Sequence, residues 1–159
     1  MSEDARFEDA DEGPLRLIAF DADDLQVIAA LTQDAVFPAS EMSWQPAQQR
    51  FSLLVNRFRW EDAPAAAQRK RAVERVQTLL VVGGVTRVQS TGIEKGDKDM
   101  ILSLLSVDFE AGAEPAGRVV LTLAGDGAIA LAVEALEVTL RDVTRPYAAP
   151  SGATPRHPE

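Results

Sequence analysis

The chain has 159 residues, enough for one domain that buries roughly 65–70% of the surface its unfolded form exposes. It contains no cysteine, which excludes disulfides, thiolate zinc sites and cysteine nucleophiles, and its single histidine, His157, excludes multi-histidine metal sites and a Ser-His-Asp triad. The formal net charge is −9, and the acidic balance disfavours DNA or RNA as a partner.

The two ends of the chain differ in composition from its middle. Residues 1–13 are acidic and lack aliphatic periodicity, and residues 145–159 are rich in proline. Both compositions predict disordered tails, with a single globular domain over residues 14–144. The start of the chain has no apolar h-region, and no apolar run is long enough to cross a membrane. We therefore expect a soluble cytoplasmic protein with no membrane partner.

The first predicted elements are a strand and a helix. The pattern over Leu15–Phe20 indicates a short strand with Leu15, Leu17 and Ala19 on one side. Asp21 is a typical N-cap residue, and apolar residues at helical spacing follow it from Leu25. These signals predict a helix near residues 22–33.

The middle of the chain predicts mainly strands. Short strands are expected at residues 36–37 and 42–44, followed by a long one at 50–60 whose alternation fails after Asn56, which predicts a bulge near Asn56-Arg57. The alanine- and arginine-rich residues 65–75 predict an exposed helical turn or insertion. Strands at 78–82 and 85–90 are joined through Gly83-Gly84, either by a two-residue turn or by a glycine bulge in one bent strand. A further strand is expected at 100–109.

The last predicted unit is a hairpin followed by a helix. Gly125-Asp126-Gly127 separates two alternating apolar runs, 119–123 and 128–133, which is typical of a tight β-hairpin. Val133, Leu136, Leu140 and Val143 then recur at helical spacing and predict a helix near residues 134–143. The whole pattern predicts an α+β domain with a mainly antiparallel curved sheet. The sheet would form a half-barrel or sandwich, with a pleckstrin-homology-like roll as one arrangement.

No metal or cofactor site is predicted. Asp21, Asp23 and Asp24 lie where a helix start favours acids, so capping explains them better than a cation site with Asp34. The loop acids Glu94, Asp97 and Asp99 lack the glycine and terminal glutamate of a calcium loop. The glycines around Asp126 lack the spacing and the lysine of a phosphate loop.

One group of residues stands out as a candidate binding surface. Two tryptophans, three arginines and an asparagine fall within seventeen residues, and an aspartate precedes them: Trp44, Arg50, Asn56, Arg57, Arg59, Trp60 and Asp34. Tryptophan and arginine anchor interfaces, and arginine holds carboxylate or phosphate groups. The alternative is that the same side chains cover a sheet as half-buried packing.

Four separated blocks carry a resemblance to a known family. They are LIAFDADDLQVIAALTQDAV, RFSLLVNRFRWE, VTRVQSTGI with LSLLSVDFE, and AIALAVEALEVTLRDV. In this order they resemble a family of small bacterial proteins known as a domain of unknown function, over about residues 15–144. The segment from Asp62 to Val76 is longer than that family leads us to expect. The resemblance implies no activity, cofactor or catalytic residue.

Two functions follow as hypotheses. The first is a non-enzymatic binding or adaptor domain, homodimeric through a sheet face, with an unidentified protein or an anionic small ligand as its partner. The second is a small-molecule enzyme or ligand carrier that uses carboxylates and arginines around Asp34 and Arg57, because an aspartate can act as a base without histidine.

Overall fold

The structure, a computed structural model, describes residues 14–70, 73–93, 96 and 98–148. They form two α-helices, α1 (Ala22–Thr32) and α2 (Ala63–Gln68), together with short 3₁₀ turns. The strands are β1 (Arg16–Ala19), β2 (Val36–Pro38), β3 (Met42–Gln45), β4 (Arg50–Phe58), β5 (Glu74–Val82), β6 (Val85–Thr91), β7 (Ile101–Ala111), β8 (Gly117–Leu123), β9 (Ala128–Val133), β10 (Val138–Asp142) and β11 (Tyr147–Ala148).

All strands join one open antiparallel sheet in the order β1-β10-β5-β4-β2-β7-β8-β9-β6. Beside this path, β3 pairs with β4 and β11 pairs with β5. The α+β class and the mainly antiparallel sheet are confirmed, whereas the half-barrel, sandwich or roll stays a prediction. β5 and β6 pair with different neighbours, so Gly83-Gly84 does not close a hairpin between them. Gly84 has a φ of +65°, which glycine adopts without steric cost.

The predicted first helix is confirmed and begins where its cap lies. Asp21 has extended backbone, and its Oδ1 accepts a hydrogen bond of 2.8 Å from the backbone N–H of Asp24. This bond satisfies one of the amide donors that a helix start leaves without an intrahelical partner. Leu25, Ile28 and Leu31 are buried, so the apolar stripe of α1 covers the inner face of the sheet.

The predicted hairpin is confirmed as β8 and β9. Their register runs from Gly117 opposite Val133 to Thr122 opposite Ala128. Gly125 and Asp126 have φ values of +81° and +68°, the left-handed region that glycine and aspartate tolerate better than most residues. Local turn chemistry is therefore sufficient to place this unit.

The predicted helix near residues 134–143 is wrong, because Val138–Asp142 form strand β10. Val138 and Leu140 are buried while Thr139 and Arg141 point the other way, which is the period of a strand. β10 lies between β1 and β5 and pairs with both. This pairing satisfies the backbone on both sides of the strand, and it overrides the helical spacing of Leu136 and Leu140. The C-terminal helix that supported the roll analogy is thus absent from the described residues.

The predicted bulge near Asn56-Arg57 is also wrong. β4 pairs with β5 without a shift, from Phe51 opposite Val82 to Phe58 opposite Arg75. The alternation continues instead, so Arg57 lies on the core side. Phe58 on the opposite side is buried by a small second cluster with Ala66 of α2 and Val73, and the insertion after Asp62 supplies this cover.

The C-terminal part of the described chain docks on the sheet. Tyr147 and Ala148 pair with Arg75 and Glu74 of β5, although the sequence predicts disorder from residue 145. Residues 1–13 and 149–159 lie outside the described residues, as do Glu94 and Asp97 of the rejected calcium loop. The domain boundaries stay a prediction.

Candidate functional site

Arg57, the centre of the predicted binding surface, is fully buried and fully bonded. Its Nη1 and Nη2 each donate to one carboxylate oxygen of Glu61 at 2.9 Å, and Nη2 also donates to Asp142 at 3.0 Å. Its Nε donates to Thr78 Oγ1 at 3.0 Å, and Nη1 donates to the backbone oxygen of Phe58 at 3.2 Å. A guanidinium group has five N–H donors, and these bonds use all of them.

The electrostatics of this network keep Arg57 charged. Burial by itself would lower the pKa of Arg57, but hydrogen bonding to Glu61 and the charges of Glu61 and Asp142 outweigh burial and hold its pKa above the ordinary value. Asp142 also accepts from Thr78 Oγ1 and from the backbone N–H of Leu15. The network therefore joins β4, β5 and β10, and the residue that precedes β1, at one end of the core. Arg57 has no donor left for a ligand, and we assign it to the scaffold.

Arg59 and Trp60 also serve local packing. Arg59 Nη1 lies 3.0 Å from Glu74 Oε1 and 3.6 Å from Asp62 Oδ2, and its side chain is largely buried. Trp60 donates from Nε1 to the backbone oxygen of Gln33 at 2.9 Å, and its ring centroid lies 5.5 Å from that of Phe58. These contacts fix the insertion over Phe58.

The other predicted site residues do not converge with Arg57. Arg50 is exposed at the opposite end of β4, about 23 Å away for seven residues of strand. Trp44 is half-buried against the main core, and the backbone N–H of Asp34 donates to Leu104 oxygen at 2.8 Å. The charge partners of Arg57 are Glu61 and Asp142 rather than Asp34. The predicted constellation is therefore divided: Trp44 and Arg50 lie toward one end of β4, and Arg57, Arg59 and Trp60 lie at the other.

A different surface shares the features of a binding site. We call it the outer face: the side of β1, β10, β5, β4, β2 and β7 that points away from the main core. The helix α1 packs on the core side, and α2 covers only the Phe58 end of this face, so the rest of it has no helix over it among the described residues. Its apolar side chains are Ile18, Leu79, Val81, Leu54, Val36, Pro38 and Ile101, and its polar ones include Arg16, Arg141, Thr139, Asn56, Ser52, Gln77, Ser103 and Arg50.

The outer face contains a half-open depression of about 540 Å³ over β1, β10 and β5. Ile18, Leu79 and Val81 provide apolar surface, and Thr139 adds a hydroxyl group. Arg16 and Arg141 are exposed and lie directly opposite each other across β1 and β10. Neither arginine has an ion-pair partner among the described residues. The depression thus combines an apolar floor with two uncompensated positive charges.

A second depression of about 240 Å³ lies on the same face over β4, β2 and β7. Val36, Pro38, Leu54 and Ile101 line it, and Ile101 is 66% exposed. Glu41 contributes a carboxylate at this end. Asn56 Oδ1 is inaccessible to solvent and accepts no hydrogen bond from the described part of the chain.

Sequence reasoning missed the outer face, although a signal for it exists. Leu79-Leu80-Val81-Val82 is a continuous apolar run, which is typical of a strand covered on both faces, whereas a strand with one solvated face alternates. The erroneous helix near residues 134–143 moved Thr139 and Arg141 away from the sheet. Without β10, Arg16 and Arg141 could not be placed side by side.

Two other features, a metal site and a membrane-spanning helix, are absent from the described residues. Among them, no three histidine, aspartate or glutamate side chains come together as a metal site. Neither of the two described α-helices is long and apolar enough to span a membrane.

Comparison with protein families gives a match over most of the chain. A family model described as "Protein of unknown function (DUF2948)" matches residues 15–157, which extends beyond the resemblance seen in the four sequence blocks. No curated protein and no solved structure matches the chain.

Proposed function

Because the chain belongs to this family of proteins of unknown function (DUF2948), we propose its role from its own geometry: it is a non-enzymatic binding or adaptor domain that acts through the outer face. The single observation that carries the proposal is the run of apolar side chains on the part of that face that no described helix covers. Ile18, Leu54, Leu79 and Val81 occupy positions where a solvated sheet face carries polar residues. Contiguous apolar patches of this kind mark interaction sites. We place this role in the cytoplasm, for which a cysteine-free sequence is suited.

The enzyme hypothesis depends on Arg57, which has no free donor for a substrate. Arg57 was expected to hold an anion beside Asp34, but its five donors are already bonded within the protein. The larger depression is lined by arginine, threonine and aliphatic side chains, with no carboxylate that could act as a base there. These contacts favour binding over catalysis.

Photo-crosslinking from defined positions tests the proposal. A photoreactive phenylalanine analogue is placed at Thr139 or Leu54 on the outer face, and at Arg87 on β6 as the control, because Arg87 is exposed near the far edge of the sheet. We expect discrete crosslinked products in cells from positions 139 and 54 and none from position 87. An equal, diffuse pattern from all three positions would contradict the proposal.

A second candidate function is a carrier of a small amphipathic anion. The observation that favours it is the volume of the depression, about 540 Å³, which falls in the roughly 300–1,000 Å³ range of ligand pockets. Two probes test it: anilinonaphthalene sulfonate and its neutral relative N-phenylnaphthylamine. Saturable binding of the sulfonate that weakens in Arg16→Gln and Arg141→Gln, with weaker binding of the neutral dye, would support the carrier. Equal binding of both dyes would reject it.

A further inference from the structure

We infer that the partner of the outer face is a second copy of this chain, so that two sheets pack face to face about a two-fold axis. The inference rests on the proposed function, because it names the occupant of that same face. It is carried by the distribution of charge across the face. One end is positive and the other carries a carboxylate, so the two ends match when a second copy is turned onto the first.

One end of the face carries unbalanced positive charge. Arg16 and Arg141 are opposite each other on neighbouring antiparallel strands, and like charges in this position destabilise a sheet. The described residues offer neither arginine an acid. An anionic group from outside would remove this repulsion, and the apolar floor beside it would pack against a partner.

The opposite end of the face carries the complementary charge. Glu41 is exposed beside Pro38 and Ile101, and it has no ion-pair partner in the described ranges. Ile101 is the most exposed large apolar side chain among those described, at 66%. This end therefore presents a carboxylate next to apolar surface that has no cover.

The middle of the face lies between β5 and β4, where Leu79 is directly opposite Leu54. Three strands lie on each side of this point: β1, β10 and β5 on one side, and β4, β2 and β7 on the other. A two-fold axis that passes over this point, parallel to the strands and midway between the two sheets, places Leu79 of one copy on Leu54 of the other. The same rotation brings Arg16 and Arg141 over the end that carries Glu41, so every contact occurs twice.

The dimensions suit such packing. Six strands span five inter-strand spacings, or about 24 Å, close to the roughly 28 Å side of a square patch of about 800 Å². Sheets that pack face to face interlock side chains across about 10 Å. The two guanidinium groups are long enough to reach across that layer, whereas Leu54 and Leu79 fill its centre.

A charge-swap experiment tests the homodimer. Sedimentation equilibrium of the full chain is expected to show a reversible monomer–dimer equilibrium that weakens at high salt. Arg16→Glu with Arg141→Glu should raise the dimer dissociation constant at least about tenfold, and Glu41→Arg should also weaken it, since each change opposes like charges. An equimolar mixture of the two variants should recover the association as a heterodimer. Arg87→Glu is the matched control and should leave the dissociation constant unchanged.

The outcomes separate this inference from the proposed function. Circular dichroism first establishes that each variant is folded; all the changed side chains are exposed. A chain that stays monomeric at every concentration, while positions 139 and 54 crosslink to a different protein, would overturn the dimer and leave the binding domain standing. A monomer without any crosslinked product would overturn both. A dimer whose dissociation constant is changed neither by the two arginine substitutions nor by Glu41→Arg would overturn the proposed interface.

Discussion

Arg57 and Glu61 join by two parallel hydrogen bonds of 2.9 Å each, and neither side chain is accessible to solvent. Asp142 supplies a second carboxylate to the same guanidinium group. A buried pair is strongly destabilising to break, because the remaining charge is left without a partner in a dry environment. The network therefore makes stability, rather than binding, the property that depends on Arg57.

Replacing Arg57 tests this assignment. Arg57→Lys keeps the charge but loses the planar fork, and we expect a loss of about 1–3 kcal/mol in the free energy of unfolding. Arg57→Met leaves two buried carboxylates without a cation and should cost about 3–5 kcal/mol. Urea titration measures both. Arg50→Lys, exposed at the other end of β4, is the control and should stay within about 0.5 kcal/mol. A silent Arg57→Lys would show that the fork does not contribute.

The cap of α1 gives a second stability prediction. Asp21→Ala removes the acceptor for the Asp24 amide and should cost about 0.5–2 kcal/mol. Asp21→Asn loses the charge but keeps the capping oxygen, so it should cost only a few tenths of a kcal/mol. Both are measured by urea unfolding followed by circular dichroism. Equal losses in the two variants would assign the effect to charge instead of capping.

Gly117 at the start of β8 has no room for a side chain. A Cβ atom there would lie 2.5 Å from the backbone oxygen of Glu110 and 2.6 Å from the Phe109 ring. We expect Gly117→Ala to cost about 1–3 kcal/mol, because the strand has to shift. Gly112→Ala is the matched control: its nearest contact is 3.4 Å and its φ is not positive, so the change should stay within about 1 kcal/mol. Similar thermal midpoints for the two variants would contradict the steric argument.

Trimming the chain tests whether β11 contributes. A chain cut to residues 14–148 should keep the urea midpoint of the full chain, because it retains every described element. A chain cut to residues 14–144, which the sequence alone suggests is sufficient, should lose about 1–2 kcal/mol with the pairing of Tyr147 and Ala148 on β5. If the two shortened chains unfold at the same urea concentration, β11 adds nothing to stability.

Local signals placed the elements whose contacts are local. The Asp21 cap and the Leu25 stripe define α1, and the positive-φ residues Gly125 and Asp126 define the β8–β9 hairpin. Each of these depends on residues close together in the chain. The same reasoning fails for β10, because its partners β1 and β5 are far away in sequence. The spacing of Leu136 and Leu140 by itself fits a helix, and only the pairing with β1 and β5 shows that the segment is a strand.

The partners of Arg57 could not be found from the sequence for a related reason. Arg57 continues the buried alternation of Phe51, Leu53 and Val55. From sequence alone, an arginine at a core position suggests that the strand register has shifted, because the carboxylates that pair with it are not known. Glu61 lies across a turn and Asp142 lies 85 residues away, so the compensation is invisible in a local pattern. The outer face was within reach of sequence reasoning only through the apolar run at Leu79–Val82.

The pairing of β1 with β10 has a consequence during synthesis. Arg16 meets Arg141, and Leu15 meets Asp142, so the first strand cannot find its neighbour until about 125 more residues have left the ribosome. At about 5–20 residues per second, this is a delay of roughly 6–25 s. Throughout that interval Leu17 and Ala19 belong to a nascent chain whose first strand has no partner strand to cover its backbone.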